Sequence, residues 1–118
     1  MANPIRHFEL MVNDTEKTKE FYRRIFDWRF DTTDPSYTMI ETGTAPAGGL
    51  MKRPPQSGPP SLNIYFGVDA IDPVLRNVVE AGGKVLVPRT EIPDMGWYAM
   101  FQDPDQIPVG LFEEKKAG

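Results

Sequence analysis

Cysteine is absent from the chain, which excludes disulfides, a thiolate nucleophile and Cys-ligated zinc or iron–sulfur centres. Histidine is nearly absent as well: His7 is the only imidazole, so a His-Glu-x-x-His zinc helix cannot be formed. Positive charge is not in excess, with 13 Lys plus Arg against 17 Asp plus Glu and a net charge of -4. Phosphate backbones are held by a basic face, so nucleic acid is not an expected partner. No apolar run approaches the roughly 20 residues that span a bilayer. Met1 to Arg6 leads into the first strand without an apolar leader. The expectation is a soluble, cytoplasmic protein with no membrane partner. A Gly-x-Ser-x-Gly elbow and a glycine loop for phosphate are missing too, and Asp103-Pro104-Asp105-Gln106 holds too few spaced acids for an EF-hand.

What is present is one pattern written twice in 118 residues, a length that suits one ordinary domain. In the first copy Phe8, Leu10 and Val12 alternate with His7, Glu9 and Met11, which predicts a strand with His7 and Glu9 on the same face. Asp14 is placed to cap a helix whose stripe of Phe21, Tyr22, Ile25 and Phe26 is expected to be buried against a sheet. Strands are expected at Trp28–Phe30, Tyr37–Glu41 and Gly48–Met51, with a turn at Asp34-Pro35-Ser36. The Pro-rich segment 53–60 cannot join a ladder and reads as a stiff linker.

The second copy opens with Asn63-Ile64-Tyr65-Phe66-Gly67-Val68 and continues into a helix with Asp72 as N-cap, Pro73 as its first residue and Val74, Leu75, Val78 and Val79 as the buried stripe. Gly82-Gly83 ends that helix, and strands are expected at Lys84–Val87, Trp97–Phe101 and Val109–Phe112, with a turn at Asp103–Asp105. A shift of 56 residues superposes the two fronts, placing His7 on Asn63, and a shift of 61 superposes Gly49-Leu50-Met51 on Gly110-Leu111-Phe112. The fold class expected is α+β: two tandem βαβββ modules, 5–52 and 61–113, within one domain spanning 1–118, as half-open sheet barrels with their helices outside. The tail Glu113-Glu114-Lys115-Lys116 reads as a solvated end.

His7-Phe8-Glu9-Leu10 before Asp14, Glu20-Phe21-Tyr22, Ile25-Phe26-Asp27-Trp28, Val68-Asp69-Ala70-Ile71, Glu80-Ala81-Gly82-Gly83-Lys84-Val85 and Asp103-Pro104-Asp105 together resemble the vicinal oxygen chelate superfamily. That superfamily comprises glyoxalases, bleomycin-resistance proteins and extradiol dioxygenases. Gly48-Gly49-Leu50-Met51 before the proline linker, with Val87-Pro88 running to Ile92-Pro93, is closest to the branch of uncharacterised lactoylglutathione-lyase-related proteins. The resemblance covers about Ile5 to Glu113. It implies a homodimer. It also implies that metal-dependent members carry ligands at four positions, which fall here on His7, Gly49, Asn63 and Gly110. Only the histidine is a ligand of the expected type, because a catalytic divalent metal takes three or more N or O ligands.

Two readings of function follow. In the first, the chain binds a small organic ligand in a sheet cavity without a metal, through His7, Glu9, Asn63, Tyr65 and Phe112. The wider apolar inventory of Tyr37, Met39, Trp97, Tyr98 and Met100 suits such a ligand, though much of it must be core. In the second, it is a lyase or isomerase. His7 or Glu9 then serves as catalytic base without metal, or a divalent metal is bound through rearranged ligands such as Glu9 or Glu41. His7 as a plain wall residue and Glu9 as the partner of Arg6 or Arg29 are the structural alternatives. Gly49, Gly67 and Gly110 either leave room for a ligand or are covered by neighbouring aromatics. A protein-interaction scaffold is a third reading; it calls for a filled cavity and a large exposed apolar patch.

Overall fold

The computed structural model describes residues 2–34, 36–56 and 58–116. Pro35 of the expected turn and Ser57 of the expected linker lie outside the described residues, as do Met1, Ala117 and Gly118. The elements run β1 (Ile5–Val12), α1 (Thr15–Ile25), β2 (Arg29–Asp34), β3 (Tyr37–Glu41), β4 (Gly48–Lys52), β5 (Ser61–Val68), α2 (Ile71–Glu80), β6 (Lys84–Ile92), β7 (Gly96–Gln102) and β8 (Pro108–Glu114). The class is α+β, with the order βαβββ occurring twice. Two compact units are formed, one of His7–Asn63 and one of Met1–Arg6 with Ile64–Gly118.

In the His7–Asn63 unit the strands lie in the order β2-β3-β4-β1, with β1 and β4 parallel and the other pairs antiparallel. Phe8 pairs with Gly48 and its ring covers the space a side chain there would need. Ile40 and Leu50 are 0% and 1% exposed, and Phe8 meets Trp28, which stacks on Tyr22 of α1 with ring centroids 5.0 Å apart. α1 starts as expected, because the Asp14 carboxylate accepts from the Lys17 N–H. Its stripe is not buried as expected. Phe21, Ile25 and Phe26 are 56%, 51% and 47% exposed, while Lys19 is buried and pairs with Glu16 at 2.6 Å. Tyr22 meets Trp28 from the face next to Lys19, and that contact turns Phe21 and Ile25 outward.

In the other unit the order is β5-β8-β7-β6, with β5 and β8 parallel. Val68, Ile71, Leu75, Ala99 and Leu111 form its core under α2, with Trp97 and Phe101 against it. The expected start of α2 is corrected here. The N-cap is Ala70, which offers no side-chain bond, and Asp72 and Pro73 lie inside the first turn. The orphan N–H of Ile71 is instead taken by the Glu113 carboxylate of β8 at 2.8 Å. That carboxylate also receives two bonds from Arg89, at 3.1 and 2.8 Å, and the Arg89 guanidinium lies 4.0 Å above the Trp97 ring. The hydrogen bonds from Arg89 hold the Glu113 carboxyl below its ordinary pKa; burial opposes this, and the Ile71 N–H adds to it. Glu113 is therefore a buried structural residue, not part of a solvated end. Ile71, absent from the expected stripe, is fully buried, and Val79 from that stripe is 59% exposed.

β6 runs on to Ile92, through Pro88. A proline fits there because β6 ends the strand order and the β6–β7 register shifts between Val87 and Thr90, so no ladder bond is required of its nitrogen. The Asp103 carboxylate accepts from the N–H groups of Asp105 and Ile107, both at 2.9 Å, and closes the turn into β8. Among the described residues no helix is long and apolar enough to cross a membrane.

Candidate functional site

β1 presents His7 and Glu9 on the sheet face opposite Phe8 and Leu10, as strand parity requires. β3 brings Tyr37 to that same face, because Met39, two residues on, pairs with Gly49, which in turn pairs with Glu9. The three side chains meet. Tyr37 Oη donates to Glu9 Oε2 at 2.9 Å and lies 2.8 Å from His7 Nε2, with the two rings stacked at 24°. A phenol has one proton. Which of Oη and Nε2 donates in the second contact is set by the imidazole tautomer. His7 and Glu9 are thus joined through Tyr37.

Burial is the largest influence on the His7 ring and pushes its pKa below the ordinary value; a backbone hydrogen bond at Ala47 acts in the other direction. The ring is therefore predominantly neutral at pH 7, which suits a proton acceptor better than an imidazolium that holds an anion. Arg6 pairs with Glu114 at 3.4 Å and Arg29 with Glu41 at 3.7 Å, so the arginines offered as partners of Glu9 have carboxylates of their own.

Gly49 leaves no room on this face. The Tyr37 hydroxyl sits where a Cβ at position 49 would be. In the other unit Tyr65 pairs with Gly110, and the Tyr65 ring covers the Cβ position of that glycine. Tyr98 approaches Tyr65 edge-on at 6.5 Å. Phe112 pairs with Gly67 and Tyr98 on that same face, under the Arg6 guanidinium at 5.5 Å, and the Arg6 stem covers Gly67. Asn63 is buried and its amide donates to Ser61 Oγ at 3.2 Å. Gly49 and Gly110 are thus covered by aromatics, and Gly67 by an arginine stem instead.

Comparison with known proteins gives the family. Residues 5–111 match the profile of the Glyoxalase/Bleomycin resistance protein/Dioxygenase superfamily. The chain belongs to that superfamily. A protein of Mycobacterium bovis and Mycobacterium tuberculosis named "Putative glyoxylase CFP32" is 29% identical over 116 residues, a match that covers 92% of this chain and 44% of the relative. The chain thus spans less than half the length of these curated relatives. Among solved structures, hypothetical protein BH1468 from Bacillus halodurans is similar with a TM-score of 0.72 at 14% identity, over 100% of this chain and 99% of that one. Methylmalonyl-CoA epimerase from Mycobacterium tuberculosis is similar with a TM-score of 0.69 at 14% identity, over 96% and 89%. These two likenesses bear on the glyoxalase fold alone.

The glyoxalase resemblance assigns metal ligands to His7, Gly49, Asn63 and Gly110, and the residues present do not fit that role. Both glycine positions are filled by tyrosines, the Asn63 amide is held by Ser61, and His7 Nε2 is engaged by Tyr37. Glu41, offered as a replacement ligand, is exposed and paired with Arg29. Among the described residues no group of three or more His, Cys, Asp or Glu side chains is placed to hold a metal ion. Tyr37 is the site residue that sequence reasoning placed only in the apolar inventory. The signal was in the internal repeat, since a shift of 61 residues carries Tyr37 onto Tyr98 and Met39 onto Met100, and each methionine pairs with the glycine of its own unit.

Proposed function

We propose that the chain binds a small organic ligand on the face carrying His7, Tyr37 and Glu9, by hydrogen bonding and apolar contact and without a metal. The observation that supports this reading is the Tyr37 hydroxyl bridging His7 Nε2 and Glu9 Oε2 above Gly49. A neutral imidazole, a phenol and a carboxylate held in one row offer a ligand fixed donors and acceptors beside Met11, Met39 and Met51, whose thioethers adapt to apolar groups of varied shape. Asn63 of the same unit is proposed as a further ligand contact, and Tyr65 and Phe112, which share a face of the other unit, as ligand contacts of that unit. A cytoplasmic homodimer is the proposed form of the protein.

The test is a melting-temperature screen of a small-molecule library in metal-free buffer, with His7→Ala beside the wild type. Hits lost in His7→Ala support the reading, since a ligand that binds the native state raises its stability by mass action. A screen in which every hit survives the substitution removes His7 from the site.

A second reading is favoured by the pKa of His7, whose burial keeps a base available near neutral pH. It is a metal-free lyase or isomerase acting on a carbon acid, with His7 or Glu9 taking the proton. Turnover of a hemithioacetal that persists in chelator and disappears in His7→Ala or Glu9→Gln would favour it over simple binding.

A further inference from the structure

We infer that Tyr37 is the lock that closes this site to metal, and that the lock is a reciprocal pair with Gly49. The face then accepts ligands that hydrogen-bond and rejects those that bind by chelation. The inference rests on the reading of the His7 face as the ligand site, but its own evidence is steric.

The Cβ position at residue 49 falls within the Tyr37 hydroxyl, and the nearest neighbouring atoms are all of the same phenol. The phenol is thus the first obstacle that any residue larger than glycine would meet there. That hydroxyl lies 2.8 Å from His7 Nε2 and 2.9 Å from Glu9 Oε2. A side chain at position 49 would therefore leave the main chain beside the two other groups able to ligate, on the strands β1 and β4 that already pair Glu9 with Gly49. One His nitrogen and two carboxylates supply three N and O donors, the number a catalytic zinc site takes from the protein, with a fourth position left open. The phenol as it stands blocks this set twice. It takes the volume that the Cβ of any side chain at position 49 needs, and it engages His7 Nε2 in a hydrogen bond that a metal would have to break.

The second unit also covers its equivalent glycine with a tyrosine, from a different strand. Tyr65 stands at the position of Glu9 in the repeat, pairs with Gly110 as Glu9 pairs with Gly49, and lays its ring over the Cβ position. The two positions that the superfamily resemblance assigns to carboxylate ligands are both glycine here, each roofed by a tyrosine of its own unit, from β3 in one and β5 in the other. Neither glycine has a gap above it.

The test compares wild type, Tyr37→Phe, and the double variant Tyr37→Ala with Gly49→Glu, each titrated with Zn²⁺ and Ni²⁺ after chelator stripping. Bound metal is counted and the melting temperature followed. Wild type is expected to bind no stoichiometric metal, and so is Tyr37→Phe, whose ring still covers Gly49. The double variant is expected to bind one equivalent and to melt on the order of 10 °C higher at a metal concentration about 100-fold above Kd. Stoichiometric metal in the wild type that is lost in His7→Ala overturns the inference, as does a folded double variant that binds none. Should the double variant not fold, Gly49→Ala decides. Its melting temperature is expected to fall and to recover in part when Tyr37→Ala is added, and losses that simply add overturn the lock. A library screen without hits would remove the proposed ligand while leaving these metal results unaffected.

Discussion

The Tyr65 ring lies over Gly110, its partner in the β5–β8 ladder, and occupies the direction in which any side chain at that position would project. The obstructing atoms belong to the ring base, next to the main chain, and cannot swing aside as a long side-chain tip could. Gly110→Ala is expected to destabilise the protein by about 1–3 kcal/mol through overpacking. Adding Tyr65→Leu should return part of that loss. Urea denaturation of the two single variants and the double variant gives the coupling, and a Gly110→Ala protein as stable as wild type would sink the argument.

The repeat made this relationship legible in part. Alternation around Phe8 and Ile64 was sufficient to set the strands, their faces and the equivalence of Gly49 with Gly110, because strand parity depends only on sequence spacing. What filled the space above each glycine was not legible. Tyr37 reaches Gly49 from the neighbouring strand, two residues out of register with it, and Tyr65 reaches Gly110 across a parallel pair, so both contacts depend on ring rotamers and sheet register. The same limit explains α2. Asp72-Pro73 carries a strong local start signal, yet the helix begins at Ile71 because a carboxylate 42 residues away, on Glu113, satisfies its first N–H. α1 fails differently, since its apolar stripe is real but the tertiary contact of Tyr22 with Trp28 decides which side is covered.

Glu113 links β8 to the start of α2, and that link is pH-dependent. Its folded-state pKa lies below the ordinary carboxylate value, chiefly because of the hydrogen bonds from Arg89. A group of this sign contributes stability that is present above the unfolded pKa and is lost as pH falls through the folded one. Stability should therefore decline on acidification from about pH 4.5 downward, and Glu113→Gln should flatten that decline while lowering stability at pH 7 by about 2 kcal/mol. Urea midpoints between pH 3 and 7 for both proteins are the measurement. Parallel profiles would show that Glu113 titrates alike in the folded and unfolded chains.

Exposure on α1 and burial on α2 predict opposite sensitivities for residues of similar hydrophobicity. Ile71 is fully buried and central to the core with Leu75 and Leu111, so Ile71→Ala should cost about 2–5 kcal/mol. Phe21 is 56% exposed, and Phe21→Gln should change monomer stability by less than about 1 kcal/mol. A large loss at Phe21 that grows on dilution would mean that α1 is covered by a second chain in solution, as the proposed homodimer allows.

Tyr37→Phe separates the hydroxyl from the ring. The ring still covers Gly49, so no cavity opens, while Glu9 Oε2 and His7 Nε2 each lose a partner at hydrogen-bond distance. Both groups are half-buried, which limits how well water replaces the phenol. The expected loss is about 1–2 kcal/mol in urea denaturation, near the value of a hydrogen bond to a charged group. The assignment to Glu9 is checked by a cycle with Glu9→Gln. If the phenolic proton goes to the Glu9 carboxylate, the Tyr37→Phe loss should shrink by about 0.5 kcal/mol or more in the Glu9→Gln background, because a neutral amide is a weaker acceptor than a carboxylate. Additive losses would mean that the hydroxyl serves His7 instead, with the proton directed to Nε2 and the imidazole in its other tautomer.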